Sequence, residues 1–178
     1  MGSSKSSLQT PNRVWVIDTC SVIQVRRLPD TNTARQTTIY ERLTEIVADG
    51  TLVFPKEVHD ELERNASTEF EDLPLKWAKA NRAIATRHGT DYTKVQAVLS
   101  VAADVLDHTK TTEEADPYVL ALAHELAEAG HSATVITEEN RDKPDKMSLS
   151  TACGLLGLPC VPLAAFLISR KLWSWPKP

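Results

Sequence analysis

The sequence predicts a three-layer α/β/α domain around a central, mainly parallel sheet. Three observations carry this. Short runs such as "VWVI" and "TVI" are apolar or β-branched at every position, as in strands covered on both faces. Stretches with helical apolar spacing separate these runs, the alternation that builds a parallel sheet with helices packed against it. Acidic residues follow the strand-like runs directly, at the carboxyl edge where open α/β sheets bind ligands.

The first strand covers 13–17 and ends at Asp18. A helix over 34–48 follows, with Ile39, Leu43, Ile46 and Val47 on one face, and Gly50 stops it. Residues 51–54 form a short apolar strand. The helix "PKEVHDELER" then starts with Pro55 at its first position, where the missing N–H costs nothing. Two helices, 73–88 and 91–108, are separated by "HGTD". "ADPYVLALAHELAEAG" opens a helix with Asp116 as N-cap and Pro117 at its first position, and Gly130 ends it. "SATVIT" is a buried-type strand, followed by a helix over 149–156, a strand in "LPCVP" and a closing helix in "LAAFLISRKL". The chain divides into a disordered lead (1–12), one domain (13–172) and a short tail (173–178).

With 178 residues there is room for one substantial core. No apolar run reaches the roughly 18–20 residues that span a bilayer, and the polar start lacks a signal-peptide centre, so a cytoplasmic location is expected. Cys20, Cys153 and Cys160 form no C-x-x-C pair and read as free thiols. A net charge of −4 argues against holding nucleic acid by electrostatics alone.

Asp18, Glu61 (with Glu57 one turn earlier), Asp116, Glu138, Glu139 and Asp142 all fall just past strand ends or near helix starts. In a parallel sheet those places share one edge. Carboxylates gathered there repel and need a cation. An all-oxygen set favours Mg²⁺ or Mn²⁺, ions that activate water for attack on phosphorus. Taken singly, each acid has a bland explanation as a helix cap or a solvated residue. On charge alone, the Asn variant of Asp116 is expected to leave the metal-free fold intact or slightly more stable.

"VIDTCSVI", "FPKEVHDELER", "ADPYVLALA" and "TVITEEN" together resemble the PIN-domain family, the nuclease fold of toxin–antitoxin ribonucleases of the VapC-like type. The resemblance implies a PIN-like fold and a metal-dependent endoribonuclease, the toxin of a type II toxin–antitoxin system. It implies Asp18, Glu61 and Asp116 as catalytic and metal-site acids, with Thr19 and Ser21 shaping the first loop. Cys20 departs from the residue usual at its place. The fourth acid stays open among Glu139, at the family's offset, Glu138 and Asp142. An RNA substrate and an antitoxin protein are the implied partners.

Thr137, Arg141 and Lys143, with Lys146, are candidates for phosphate contacts beside that acid. Lys76, Lys79 and Arg82 recur every three residues and either track an RNA backbone or form a solvated face. The tryptophans are core anchors or stacking platforms. "LWSWPKP" exposes Trp173 and Trp175 as a partner or homodimer contact. A haloacid-dehalogenase-like phosphatase also opens with an apolar strand and Asp, but wants a second acid where Cys20 stands. From a different class comes a non-catalytic module that binds RNA or a protein partner.

Overall fold

The computed structural model describes residues 12–68 and 71–174. Its elements run β1 (Arg13–Ile17), α1 (Thr19–Gln24), α2 (Thr33–Ala48), β2 (Leu52–Val53), α3 (Lys56–Arg64), α4 (Leu73–Ala85), α5 (Tyr92–Val101), α6 (Asp116–Glu128), β3 (Ser132–Ile136), α7 (Leu149–Leu155), β4 (Cys160–Val161) and α8 (Leu163–Ser169). The four strands pair in the order β2-β1-β3-β4, and every pairing is parallel. Val14–Ile17 and Ala133–Ile136 are buried at consecutive positions. Successive side chains of a strand point to opposite faces, so both faces of the sheet are covered by helices. The coarse expectation of a small parallel sheet between helical layers therefore holds.

The strand order fixes where a site can form. From β1 the chain moves to β2 on one side, then returns to β3 on the other. The carboxyl ends of β1 and β3 flank the point where the winding reverses, which is where such sheets leave a crevice. Trp15 of β1 is paired with Thr134 of β3, and Ile17 with Ile136, so Asp18 and Thr137 leave the sheet side by side.

One apolar cluster fills the interior, with Phe54, Phe166, Leu43, Leu120 and Leu163 fully buried. Each such side chain contributes about 1.5–3 kcal/mol relative to exposure. Trp15 packs edge-on against Phe166 at 4.9 Å, and Trp77 sits 5.5 Å from Phe54. These two indoles are core anchors, not stacking platforms.

Several local expectations need correction. Pro55 is the N-cap of α3, and Lys56 takes the first helical position. Asp116 does not cap α6. Ala115 holds that place without a side-chain bond, Asp116 is the first helical residue, and its carboxylate is left for other partners. The helix expected over 91–108 stops at Val101, and a single 3₁₀ turn, Ala103–Val105, follows. The first loop is a helix, α1, nucleated by Asp18 as N-cap. Trp173 is buried, not exposed. Residues 1–11 of the expected lead and Trp175 lie outside the described residues. Among the described residues, no helix is long and apolar enough to cross a membrane, and the three cysteines are free thiols.

Candidate functional site: a carboxylate cleft with its own lysine

The cleft is built on the ends of β1 and β3 and the start of α6. Asp18 is 1% exposed. Its Oδ1 accepts the Ser21 amide at 2.7 Å and its Oδ2 the Cys20 thiol at 3.0 Å. Ser21 Oγ donates to the Ile136 carbonyl at 3.1 Å, tying α1 to β3. Burial raises the Asp18 pKa to about 6, against the hydrogen bonds from Cys20, Thr137 and Ser21. The same burial, reinforced by the Asp18 charge, pushes the Cys20 thiol far up. That thiol is a neutral donor, not a nucleophile.

Asp116 meets Lys146, which arrives from the loop after β3. Lys146 Nζ lies 2.6 Å from Asp116 Oδ2, 3.4 Å from Glu114 Oε1 and 3.6 Å from Glu139 Oε2. The lysine side chain is only 9% exposed. Burial works against its charge, but Asp116, Glu139 and Glu114 outweigh that and raise its pKa. Burial lifts Asp116 to about 7 despite Lys146, with Glu139 and Asp18 pushing the same way. A bridge between Lys143 and Lys146 makes a tight turn that delivers the side chain: Lys143 N donates to Lys146 O at 2.8 Å.

The structure thus brings Asp18, Asp116 and Glu139 into one electrostatic neighbourhood. Glu61 joins through Thr19, whose hydroxyl donates to Glu61 Oε2 at 2.7 Å. Two other candidate acids serve helix starts. Glu138 Oε1 accepts the Leu163 amide at 2.7 Å, at the head of α8. Asp142 Oδ1 accepts from the Ser148 amide and hydroxyl at 2.9 and 2.8 Å and from the Thr151 hydroxyl at 2.8 Å, at the head of α7. Thr137 is buried and accepts the Glu139 amide at 3.0 Å. Arg141 and Lys143 are exposed at the rim of a roughly 200 Å³ hollow that Lys146 and Glu139 also line. On α4, Lys76 pairs with Glu71, Lys79 with Glu63, and Arg82 lies 3.8 Å from Asp60. That helix face is internally neutralised and offers little to a phosphate backbone.

The sequence reading missed Lys146 as the centre of the cleft, and Glu114 beside it. Burial works against the Glu114 charge, yet Lys110, the Asp107 amide and Lys146 hold its carboxyl below the usual range. The only sequence signal for Glu114 was its place two residues before Asp116 in "EEAD".

This arrangement changes the metal argument. The carboxylates still need a positive charge, but the chain supplies it. Among the described residues, no group of three or more His, Cys, Asp or Glu side chains is placed to hold a metal ion. Asp116 is bonded to Lys146, and Asp18 to Ser21 and Cys20.

No curated protein and no solved structure matches the chain. A family match covers residues 15–174, and it is not to the PIN-domain family. The resemblance to PIN-domain, VapC-like ribonucleases is therefore corrected. With it go the metal-dependent endoribonuclease and the type II toxin, which neither the family match nor the arrangement of acids supports. The chain belongs to the family described as a domain of unknown function, DUF4411.

Proposed function

We propose that the chain is a non-catalytic binding module that engages a protein partner along the edge holding the carboxylate–lysine cleft. The observation that carries this is a groove of about 430 Å³ beside the cleft, with apolar walls and acidic margins. Tyr92, Leu99, Leu106 and Tyr118 supply apolar surface, Asp107 and Glu113 supply negative charge, and Lys110, also in the lining, is paired with the buried Glu114 at 2.7 Å. Tyr92 is 64% exposed. Glu114 belongs to both places, since it lines the groove and lies 3.4 Å from Lys146. A groove of this composition suits a segment that carries aliphatic side chains flanked by Lys or Arg. The net charge of −4 steers the same class of partner. RNA is disfavoured because the basic face of α4 is already paired, leaving Arg141, Lys143 and Thr137 as the phosphate contacts an RNA reading would need.

Selection of displayed random peptides against the parent chain, with counter-selection on a Tyr92→Glu/Leu99→Glu variant, tests this. Expected are peptides with aliphatic and basic residues whose binding the variant loses. No enrichment, together with RNA gel shifts abolished by Arg141→Ala/Lys143→Ala, overturns the protein reading in favour of RNA. For a divalent ion, we infer that it enters the cleft only when Lys146 leaves. Lys146→Met should then bind Mn²⁺ more tightly than the parent in a paramagnetic resonance titration, and equal affinities remove the idea.

A further inference from the structure

A second cavity, of about 300 Å³, opens between the end of β2, the first turn of α3, the turn after α4, and α6. None of its lining residues belongs to the carboxylate cleft. Phe54, Pro55, Ala85 and Leu122 give it apolar walls. Two polar groups lining it are weakly partnered. Glu57 is 7% exposed, burial raises its pKa against a bond from its own amide, and the cation beside it is Lys56, also in the lining, at 3.6 Å with its side chain 61% exposed. Such an exposed, separated pairing contributes little. Its place in the first turn of α3 lets Glu57 offset the positive helix end, but a carboxylate this buried still calls for charge-assisted donors. The second group is Thr90, whose Oγ is buried without a hydrogen-bond partner. An unmade bond of that kind costs about 1–3 kcal/mol.

Lys56 and Thr86 also line it; the remaining polar side chain, His88, has its pKa lowered by burial and then by Arg87 and His131. It is neutral near pH 7 and does not repel a cation. A cavity of this size holds roughly ten non-hydrogen atoms, at about 30 Å³ each. It lies at the small end of ligand pockets, where apolar walls surround a few placed polar groups.

We propose that this cavity is a binding site for a small organic cation, an ammonium or guanidinium group on a short apolar stem. The cationic head donates to Glu57 and to the Thr90 hydroxyl. The stem lies against Phe54, Pro55, Ala85 and Leu122.

The test is an amide NMR titration of the full chain with three probes of one shape: phenethylammonium, 2-phenylethanol and phenylacetate. Phenethylammonium is expected to shift the amides of residues 54–57 and 88–90 saturably. It should bind at least about tenfold more tightly than the alcohol, as a charge-assisted hydrogen bond requires, with phenylacetate weakest. Glu57→Gln keeps the shape and removes the charge, so it should erase the advantage of the cation and leave the alcohol unchanged. Equal binding of the three probes, no saturable shift, or an advantage that survives Glu57→Gln overturns the proposal. Should Glu57→Gln fail to fold, the ranking of the probes on the parent chain decides.

Discussion

Asp18 is ionised at neutral pH against its surroundings. Its pKa rises from 3.8 to about 6. Between those values the folded chain keeps a proton that the unfolded chain has lost, so stability falls as pH rises through that window. Two units correspond to about 3 kcal/mol. Asp18→Asn resembles the protonated acid and can still accept the Ser21 amide. It should match the parent near pH 4 and exceed it by up to about 3 kcal/mol near pH 8, as urea unfolding at both pH values would read. Equal destabilisation at both would mean that the carboxylate is needed as a cap and carries no buried-charge cost. Asp116 behaves differently because of Lys146. Charge repulsion alone predicted that Asp116→Asn would be neutral or stabilising, but the structure pairs Asp116 with a buried ammonium. The variant leaves that ammonium with Glu114 at 3.4 Å and Glu139 at 3.6 Å. Breaking a buried pair costs about 3–5 kcal/mol when nothing else compensates, but the variant also relieves the burial that lifts Asp116 to about 7, so a net loss well under about 3 kcal/mol is expected. Asp116→Asn/Lys146→Met should recover most of it, and a double variant no more stable than Asp116→Asn would show the pair to be uncoupled. Asp18 was legible because a charge interrupts an apolar run. Lys146 was not, because nothing near it in sequence marks a lysine that turns inward.

At the scale of elements, the three acids after β3 have different duties despite their proximity in sequence. Glu139 turns to Lys146, Glu138 to the first amide of α8, and Asp142 to the head of α7. Asp142→Ala should lower the melting temperature, as expected for loss of a helix-start acceptor with several bonds. Glu138→Ala should cost about 1 kcal/mol. Neither should alter peptide binding in the groove. A thermal melt gives the first result and a peptide titration the second, and binding lost along with Asp142 would move that residue into the interface. The helices and strands themselves were largely legible, since their apolar period is set by what each must bury. Residues 34–48 were expected as helix, and α2 runs Thr33–Ala48. Direction within an irregular loop has no such period. Choosing among Glu138, Glu139 and Asp142 needed the positions of α7 and α8, which come later in the chain. The same limit hid α1: Thr19 to Gln24 is too short for a helical pattern to repeat, and only the Asp18 cap and its packing settle it.

Across the whole molecule, a strand order that reverses between β1 and β3 gathers Asp18, Asp116 and Glu139 on one edge. The alternation of strands and helices made a parallel sheet legible, and with it an acidic edge. The partner of those acids was not legible, because it depends on where a loop 30 residues beyond Asp116 returns. A bare acidic edge calls for a metal, whereas an edge that carries its own lysine is left with charge on its margins at Asp107 and Glu113. Those marginal charges act over about 10 Å at 0.1 M salt and about 3 Å at 1 M. For a basic peptide selected on the groove, raising salt should therefore slow association by about tenfold or more and leave dissociation nearly unchanged. Leu99→Ala should do the reverse, speeding dissociation with little change in association, since it removes contact surface and no charge. Stopped-flow fluorescence on a labelled peptide separates the two rates. Association insensitive to salt would place the peptide away from the acidic margin, and dissociation unchanged by Leu99→Ala would place it outside the groove.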